Sequence, residues 1–202
     1  MFIHLPIEIW QCILNLLDFK SQMTMRMICK SFYEKLEIWN FYTIPSKYTN
    51  KLTDSILLAY PFIRYLDAIC NPKITNVNHL TSLQILWASG DSGIDDNGIK
   101  NLNLIELYAN NNPRITNVNH LTNLQILWAN YNSGIDDIGI KNLNLIELYA
   151  SNNPKITNAN HLTNLQKLWT NNDSGIDDNG IKDLNLVKLY AGNNPKITKK
   201  ID

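Results

Sequence analysis

Three histidines, His79, His120 and His161, recur at an interval of 41 residues, and three acidic pairs, Asp95-Asp96, Asp136-Asp137 and Asp177-Asp178, recur at the same interval. Imidazoles and paired carboxylates bind metal ions and move protons, so both sets are the first candidates for chemistry. The interval argues against it. Histidines in alternate turns of a stacked array stand about 10 Å apart by strand spacing. Ligands of one zinc ion must all lie within about 2 Å of the metal, so the three cannot share an ion. Each acidic pair precedes an apolar series, which is a helix N-cap signal. The expectation is a cap plus a solvated carboxylate. Cys12, Cys29 and Cys70 are odd in number and widely spaced, and none forms C-x-x-C, which indicates neither a disulfide framework nor a zinc ribbon. The motifs G-x-S-x-G, H-E-x-x-H and G-x-x-x-x-G-K-[ST] are absent. The reading is therefore no enzymatic activity, no cofactor and no metal.

Charge and composition narrow the partners. The 202 residues hold 18 basic and 18 acidic side chains and are neutral overall, so the chain as a whole has no basic footprint for nucleic acid or an anionic membrane. Only 18% of residues are charged, against about a quarter in an ordinary domain. Asparagine supplies the missing polarity, in strings such as Asn-Asn-Pro and Asn-Leu-Asn. No apolar run approaches the roughly 18 residues of a membrane span. The start, Met1-Phe2-Ile3-His4, lacks the basic region of a secretion signal. A reducing compartment, cytoplasm or nucleus, is expected, in a host cell if the source is viral.

The elements that position these residues follow from internal repetition. Asn-Pro-(Lys/Arg)-Ile-Thr begins at Asn71, Asn112, Asn153 and Asn194, 41 residues apart each time. Each block splits again, because Leu104-x-x-Leu107-x-Ala109-x-x-Asn112 has the form of Leu124-x-x-Leu127-x-Ala129-x-x-Asn132. Units begin at Ile63, Leu83, Leu104, Leu124, Leu145, Leu165 and Leu186, in steps of 20 and 21. Leu107 and Ala109 are two apart and share one face of a short strand, with Tyr108 on the other. The asparagine ending the unit can donate and accept toward an adjacent coil. Asp91 and Asp173 occupy that slot in two coils, and a carboxylate cannot donate, so weaker turns are expected there unless neighbours such as Asn172 compensate. The return Ile115–Leu121 has apolar residues three apart and predicts a 3₁₀-like path. The return Gly134–Leu143 predicts a short helix behind an Asp cap.

The unit L-x-x-L-x-A-x-x-N resembles the leucine-rich repeat over residues 63–202, with Ala or, at Thr170, Thr in place of the second Leu. The string Ile135-Asp136-Asp137-Ile138-Gly139-Ile140 is similar, more weakly, to the repeats of F-box proteins. A parallel sheet then lines a concave face, with short helices and 3₁₀ turns behind it. The outward position between Leu and Ala gives Asp67, Trp87, Tyr108, Trp128, Tyr149, Trp169 and Tyr190, an aromatic ladder. One flanking row reads Tyr65, Ile85, Glu106, Ile126, Glu147, Lys167 and Lys188, and the other is rich in amides. Exposed aromatic patches mark interaction sites, so the rings, with Glu106, Glu147, Lys167 and Lys188, are candidates for binding a target protein. Copying of a duplicated block with ring stacking inside the sheet would produce the same row.

Residues before about 43 do not share the repeat. Ile9, Ile13, Leu14, Leu16 and Leu17 form a helical apolar series behind Pro6. Asp18–Ser21 is a break with Ser21 as candidate N-cap, and Met23, Met25, Met27 and Ile28 suggest a second apolar stripe. L-P-x-E-I-x-x-x-I-L from Leu5, then R-x-x-C-K-x-F from Arg26, then Trp39, resembles the F-box over residues 2–42. Met residues stand where the family has leucines near Ser21–Thr24. The resemblance implies docking on the Skp adaptor subunit of a cullin ubiquitin ligase through Leu5, Pro6, Ile9, Ile13, Leu14, Leu16, Cys29 and Lys30. On the residues alone, the same side chains could simply fill a small helical core that caps the repeats.

The expected architecture is α/β: an N-terminal three-helix F-box-like module over 1–42, a linker and cap over 43–62, and a leucine-rich-repeat solenoid over 63–202 with about seven units. The expected role is the substrate-recognition adaptor of a Skp–cullin–F-box ligase, a ubiquitin-pathway protein with no catalysis of its own. A protein-binding scaffold outside the ligase, or a truncated repeat-gene copy ending short of a full coil at Asp202, are the alternatives. The pairing of F-box and Asn/Ile-rich repeats resembles F-box/leucine-rich proteins of giant DNA viruses of amoebae (Mimivirus-like), which would make it a host–virus factor. The composition also fits an AT-rich protist genome.

Overall fold

The structure is a computed structural model that describes residues 5–42, 44 and 46–198; the readings above on Met1–His4 and on the stop at Asp202 lie outside them. Eight short strands form one parallel sheet in sequence order: β1 Asn40–Phe41, β2 Tyr65–Asp67, β3 Ile85–Trp87, β4 Glu106–Tyr108, β5 Ile126–Trp128, β6 Glu147–Tyr149, β7 Lys167–Trp169 and β8 Lys188–Tyr190. Equivalent positions face each other in every pair, as Leu107 faces Leu127 and Tyr108 faces Trp128. Ahead of β1 lie helices α1 Ile7–Asn15, α2 Phe19–Arg26 and α3 Lys30–Lys35. Single-turn helices α4 Ser46–Thr49, α5 Asp54–Leu57, α6 Asp96–Ile99 and α7 Asp137–Ile140, and a 3₁₀ turn Asn179–Ile181, follow.

The repeat buries what its pattern requires. Leu107 and Leu127 are fully buried, Ala109 and Ala129 lie behind the same face, and Ile115, Val118 and Leu121 close the core from the convex side. Burying each leucine contributes about 2 kcal/mol. The Asn-Pro coils return through isolated turns, such as Leu121 N–H to Val118 O and Leu124 N–H to Leu121 O, rather than a 3₁₀ helix. Two of the other coils carry the expected one-turn helix, with Asp95 and Asp136 accepting from the N–H of Gly98 and Gly139, and the third tightens to the 3₁₀ turn. A Cβ on Gly139 would sit 2.1 Å from Thr116 O, so the neighbouring coil forces glycine there.

The second Asp of each pair is more than a solvated carboxylate. Asp96 accepts from the N–H and hydroxyl of Thr116 and the N–H of Asn117 in the next coil, at 2.7, 2.6 and 3.2 Å. Asp137 grips Thr157 and Asp178 grips Thr198 in the same way. The segment before the repeats behaves as an abbreviated coil of this kind. Thr53 caps α5, and Asp54 holds Thr75.

The asparagine slot divides into two kinds. Asn112 is fully buried; its Nδ2 donates to Ala88 O and Ile94 O in the preceding coil, and its Oδ1 accepts from Arg114 N–H. Asn153 and Asn194 repeat this, while Asn71 reaches Thr49 O and Leu52 O. In the alternate coils the slot is exposed at Asp91, Asn132 and Asp173, and the buried turn residue is the next one, Ser92, Ser133 or Ser174. This corrects the expectation of weak turns at Asp91 and Asp173, because those side chains face water. Thr170 is satisfied through its hydroxyl to Ser174 Oγ.

The helical module shares the solenoid's core. Phe41 packs between Phe19 and Tyr60, at ring separations of 5.6 and 5.0 Å, and Gln11 clamps the Glu37 peptide with both amide atoms. Two sequence readings change. Asp18, not Ser21, caps α2; its carboxylate accepts from the Ser21 N–H and hydroxyl, which lower its pKa, the hydroxyl more. The second stripe stops at Met25, because α2 ends at Arg26 and leaves Met27 and Ile28 exposed.

The two kinds of slot give a direct test. Asn112→Asp removes a buried double donor and inserts a charge, and should cost about 3 kcal/mol. Asn132→Asp, alike in sequence, should cost about 0.5 kcal/mol or less. Urea unfolding of both variants measures the difference.

Candidate functional site

Two surfaces collect the residues singled out by sequence. The first is the helical module. Pro6, Cys29 and Lys30 are exposed, Ile9 is 45% and Leu16 87% exposed, and Leu5 and Ile13 are half-buried. Leu14 is fully buried. It belongs to the core, so its assignment as a docking contact is corrected: no partner can reach it in this conformation. Sequence reading missed the neighbours that complete the surface. Met27 and Ile28 stand out in solvent beside a groove of about 720 Å³ lined by Trp10, Ile13, Leu17, Met25, Ile28 and Phe32. Met27 and Ile28 are left in solvent because α2 stops at Arg26, a boundary that the apolar spacing did not signal.

The second surface is the concave face of the sheet. Trp87, Tyr108, Trp128, Tyr149, Trp169 and Tyr190 stack in one file, with centroids 5.2, 5.2, 3.6, 3.9 and 4.8 Å apart and planes within 22° of parallel. Parallel register places each ring about one strand spacing from the next, and the rings lean to close or open that distance. A seventh ring was not foreseen. Tyr42 follows Phe41, whose partner is Leu66, so it falls beside Asp67, the one non-aromatic rung. It leans past Asp67 to stack on Trp87 at 4.3 Å. The Asp67 carboxylate turns back to accept from Ile69 N–H. The file therefore starts in the segment that joins the helices to the repeats. Each stacked pair contributes about 1 kcal/mol beyond burial.

Polar rows flank the rings. Glu106 accepts from the Tyr108 hydroxyl at 3.2 Å, and Glu147 accepts from the Tyr149 hydroxyl at 3.1 Å and pairs with Lys167 at 2.6 Å. Lys188 is exposed and has no ion pair among the described residues. On the other flank the amides bind one another along the stack: Asn130 Nδ2 donates to Asn110 Oδ1, and Asn130 Oδ1 accepts from Ser151 N–H. Asn171 Nδ2 donates to Ser151 Oγ, and its Oδ1 accepts from Gly192 N–H. The Trp128 Nε1 is buried with no partner among the described residues. On the convex side, His120 and His161 lie 3.0 Å from Ile99 O and Ile140 O, a contact between coils, while His79 Nε2 is buried without a partner. No group of three metal-ligating side chains occurs among the described residues.

The tyrosines carry the electrostatic consequence. Burial raises the Tyr108 phenol from 10.0 to about 12, with the Glu106 charge and hydrogen bond adding to it. Burial and Glu147 also raise Tyr149. A group whose folded pKa is raised contributes stability that is complete below its unfolded value and is lost as pH rises through the folded value. The chain should therefore lose stability between pH 10 and about 12. Tyr108→Phe should lose less over the same interval, as read from denaturant midpoints.

Residues 2–43 match the family model described as the F-box domain. No curated protein sequence matches the chain. Among solved structures, an internalin (inlF) from Listeria monocytogenes is similar at 22% identity and TM-score 0.45, over 73% of this chain and 53% of that one. The functional domain of InlJ from Listeria monocytogenes is similar at 21% identity and TM-score 0.47, over 87% and 43%. The chain thus spans about half the length of the solved chains it matches. Neither is viral, and the resemblance to viral F-box proteins gains no support from them. Residues 2–43 thus match the F-box domain, and they pack through a shared core onto a parallel α/β solenoid built from the repeats.

Proposed function

We propose that the chain is the target-binding adaptor of a Skp–cullin–F-box ubiquitin ligase. The observation that carries the reading is the F-box match over residues 2–43, on a segment that packs directly onto the solenoid of repeats. The exposed apolar side chains Ile9, Leu16, Met27 and Ile28 would meet the Skp subunit, together with Pro6, Cys29 and Lys30. A module of about 40 residues leaves much apolar surface uncovered on its own, and a partner surface would cover it. The concave face would hold the target, with Trp87, Tyr108, Trp128, Tyr149, Trp169 and Tyr190 at its centre. Ubiquitin transfer would belong to other subunits, so this chain contributes proximity alone. The cytosol or nucleus is the compartment that goes with this role.

Leu16 is exposed, so Leu16→Asp leaves the core intact. Co-purification with the Skp subunit should be strong for the native chain and fall at least about tenfold with Leu16→Asp. Failure of the native chain to bind Skp would overturn the adaptor reading and leave the scaffold outside the ligase.

A further inference from the structure

The file of rings determines what the concave face can recognise. Every ring from Trp87 to Trp169 has a neighbour stacked on each side, at centroid distances of 3.6 to 5.2 Å. Both faces of these rings are therefore occupied. Only ring edges point into the concavity, and only the two end rings, Tyr42 and Tyr190, keep a face that is not stacked within the file. Nucleobases and quaternary ammonium groups are bound through ring faces. Ring edges carry the positive end of the aromatic quadrupole and favour electron-rich atoms such as carbonyl and carboxylate oxygens.

Charge along the flank sets a direction. Glu147 is neutralised by Lys167 with the Tyr149 hydroxyl added, whereas Glu106 accepts the Tyr108 hydroxyl and keeps its charge at the far end from Lys188. Lys188, beside the last ring, is the cation of this row with no ion pair among the described residues. The amide flank is spent on contacts between coils. Seven rings at strand spacing span roughly 30 Å, the length of about nine residues of extended chain.

We propose that the concave face takes an extended protein segment edge-on. Its aliphatic side chains and backbone carbonyls lie against the ring edges, and its carboxylates lie at the Lys188 end. The inference rests on the target-binding reading and adds the chemistry of the target. The test is selection from a library of random peptides about twelve residues long, displayed against the full chain. The Lys188→Glu variant and the Trp128→Ala/Tyr149→Ala variant are run in parallel. The selected peptides should be rich in Asp or Glu with Leu, Ile or Val, and Lys188→Glu should weaken them about tenfold. Neither a thymidine oligonucleotide nor tetramethylammonium should displace them. Ring-dependent peptides that are basic, that ignore Lys188→Glu, or that either competitor displaces would overturn this inference while leaving the target-binding reading in place. If no selected peptide depends on the rings, both fall. Lys188 is exposed, so its variant keeps the test open should the double ring variant fail to fold.

Discussion

A coil of 20 or 21 residues with only three in strand cannot satisfy its own buried backbone, and the buried asparagine amide supplies the bonds it lacks. Asn112 reaches two carbonyls of the preceding coil and one N–H of its own turn. A buried unsatisfied carbonyl costs about 1–3 kcal/mol, so each such amide protects more stability than its size suggests. It also fixes register, because the same side chain reads the backbone of both coils. Everything on the concave face depends on that register. A slip of one residue would turn Trp128 inward and Leu127 outward.

With register fixed, the ladder is a geometric consequence. Rings at equivalent positions of parallel strands must stand one strand spacing apart, and flat side chains at that distance stack. Glu106 and Glu147 hold the tyrosine hydroxyls, and the amide row binds coil to coil on the other side. The surface is thus stiff and already assembled, and a partner would meet it without ordering its side chains, a cost that weakens many interfaces.

Much of this was legible from spacing. The period-two alternation of Leu127 and Ala129 against Trp128 gave the strand, its buried face and the row of rings. The acidic pair before Gly139 gave the capped turn. What remained hidden turned on single-residue offsets. Asn112 and Asn132 share one slot in the repeat formula, yet one is buried and the other exposed, because the second coil turns on Ser133. Leu14 and Leu16 both belong to one apolar series, yet one is core and the other is 87% exposed, since Leu14 lies in the last turn of α1 against the core while Leu16 is the C-cap residue beyond it. Tyr42 joined the ladder through a two-residue strand too short to leave a pattern.

The contacts between coils are of two kinds that alternate. An Asn-Pro coil holds the coil after it through Asn119, which gives to Ile138 O and takes from Asn142 N–H. That coil in turn holds the next Asn-Pro coil through Asp137 and Thr157, and receives Asn153 in return. Strand pairing is the same at every junction, but neither coil carries both halves of these side-chain contacts, so it could not make them with a copy of itself. A solenoid wired in this way keeps all of its contacts only when it changes length two coils at a time. Every such step lengthens the concave face by one tryptophan and one tyrosine together and never breaks their alternation.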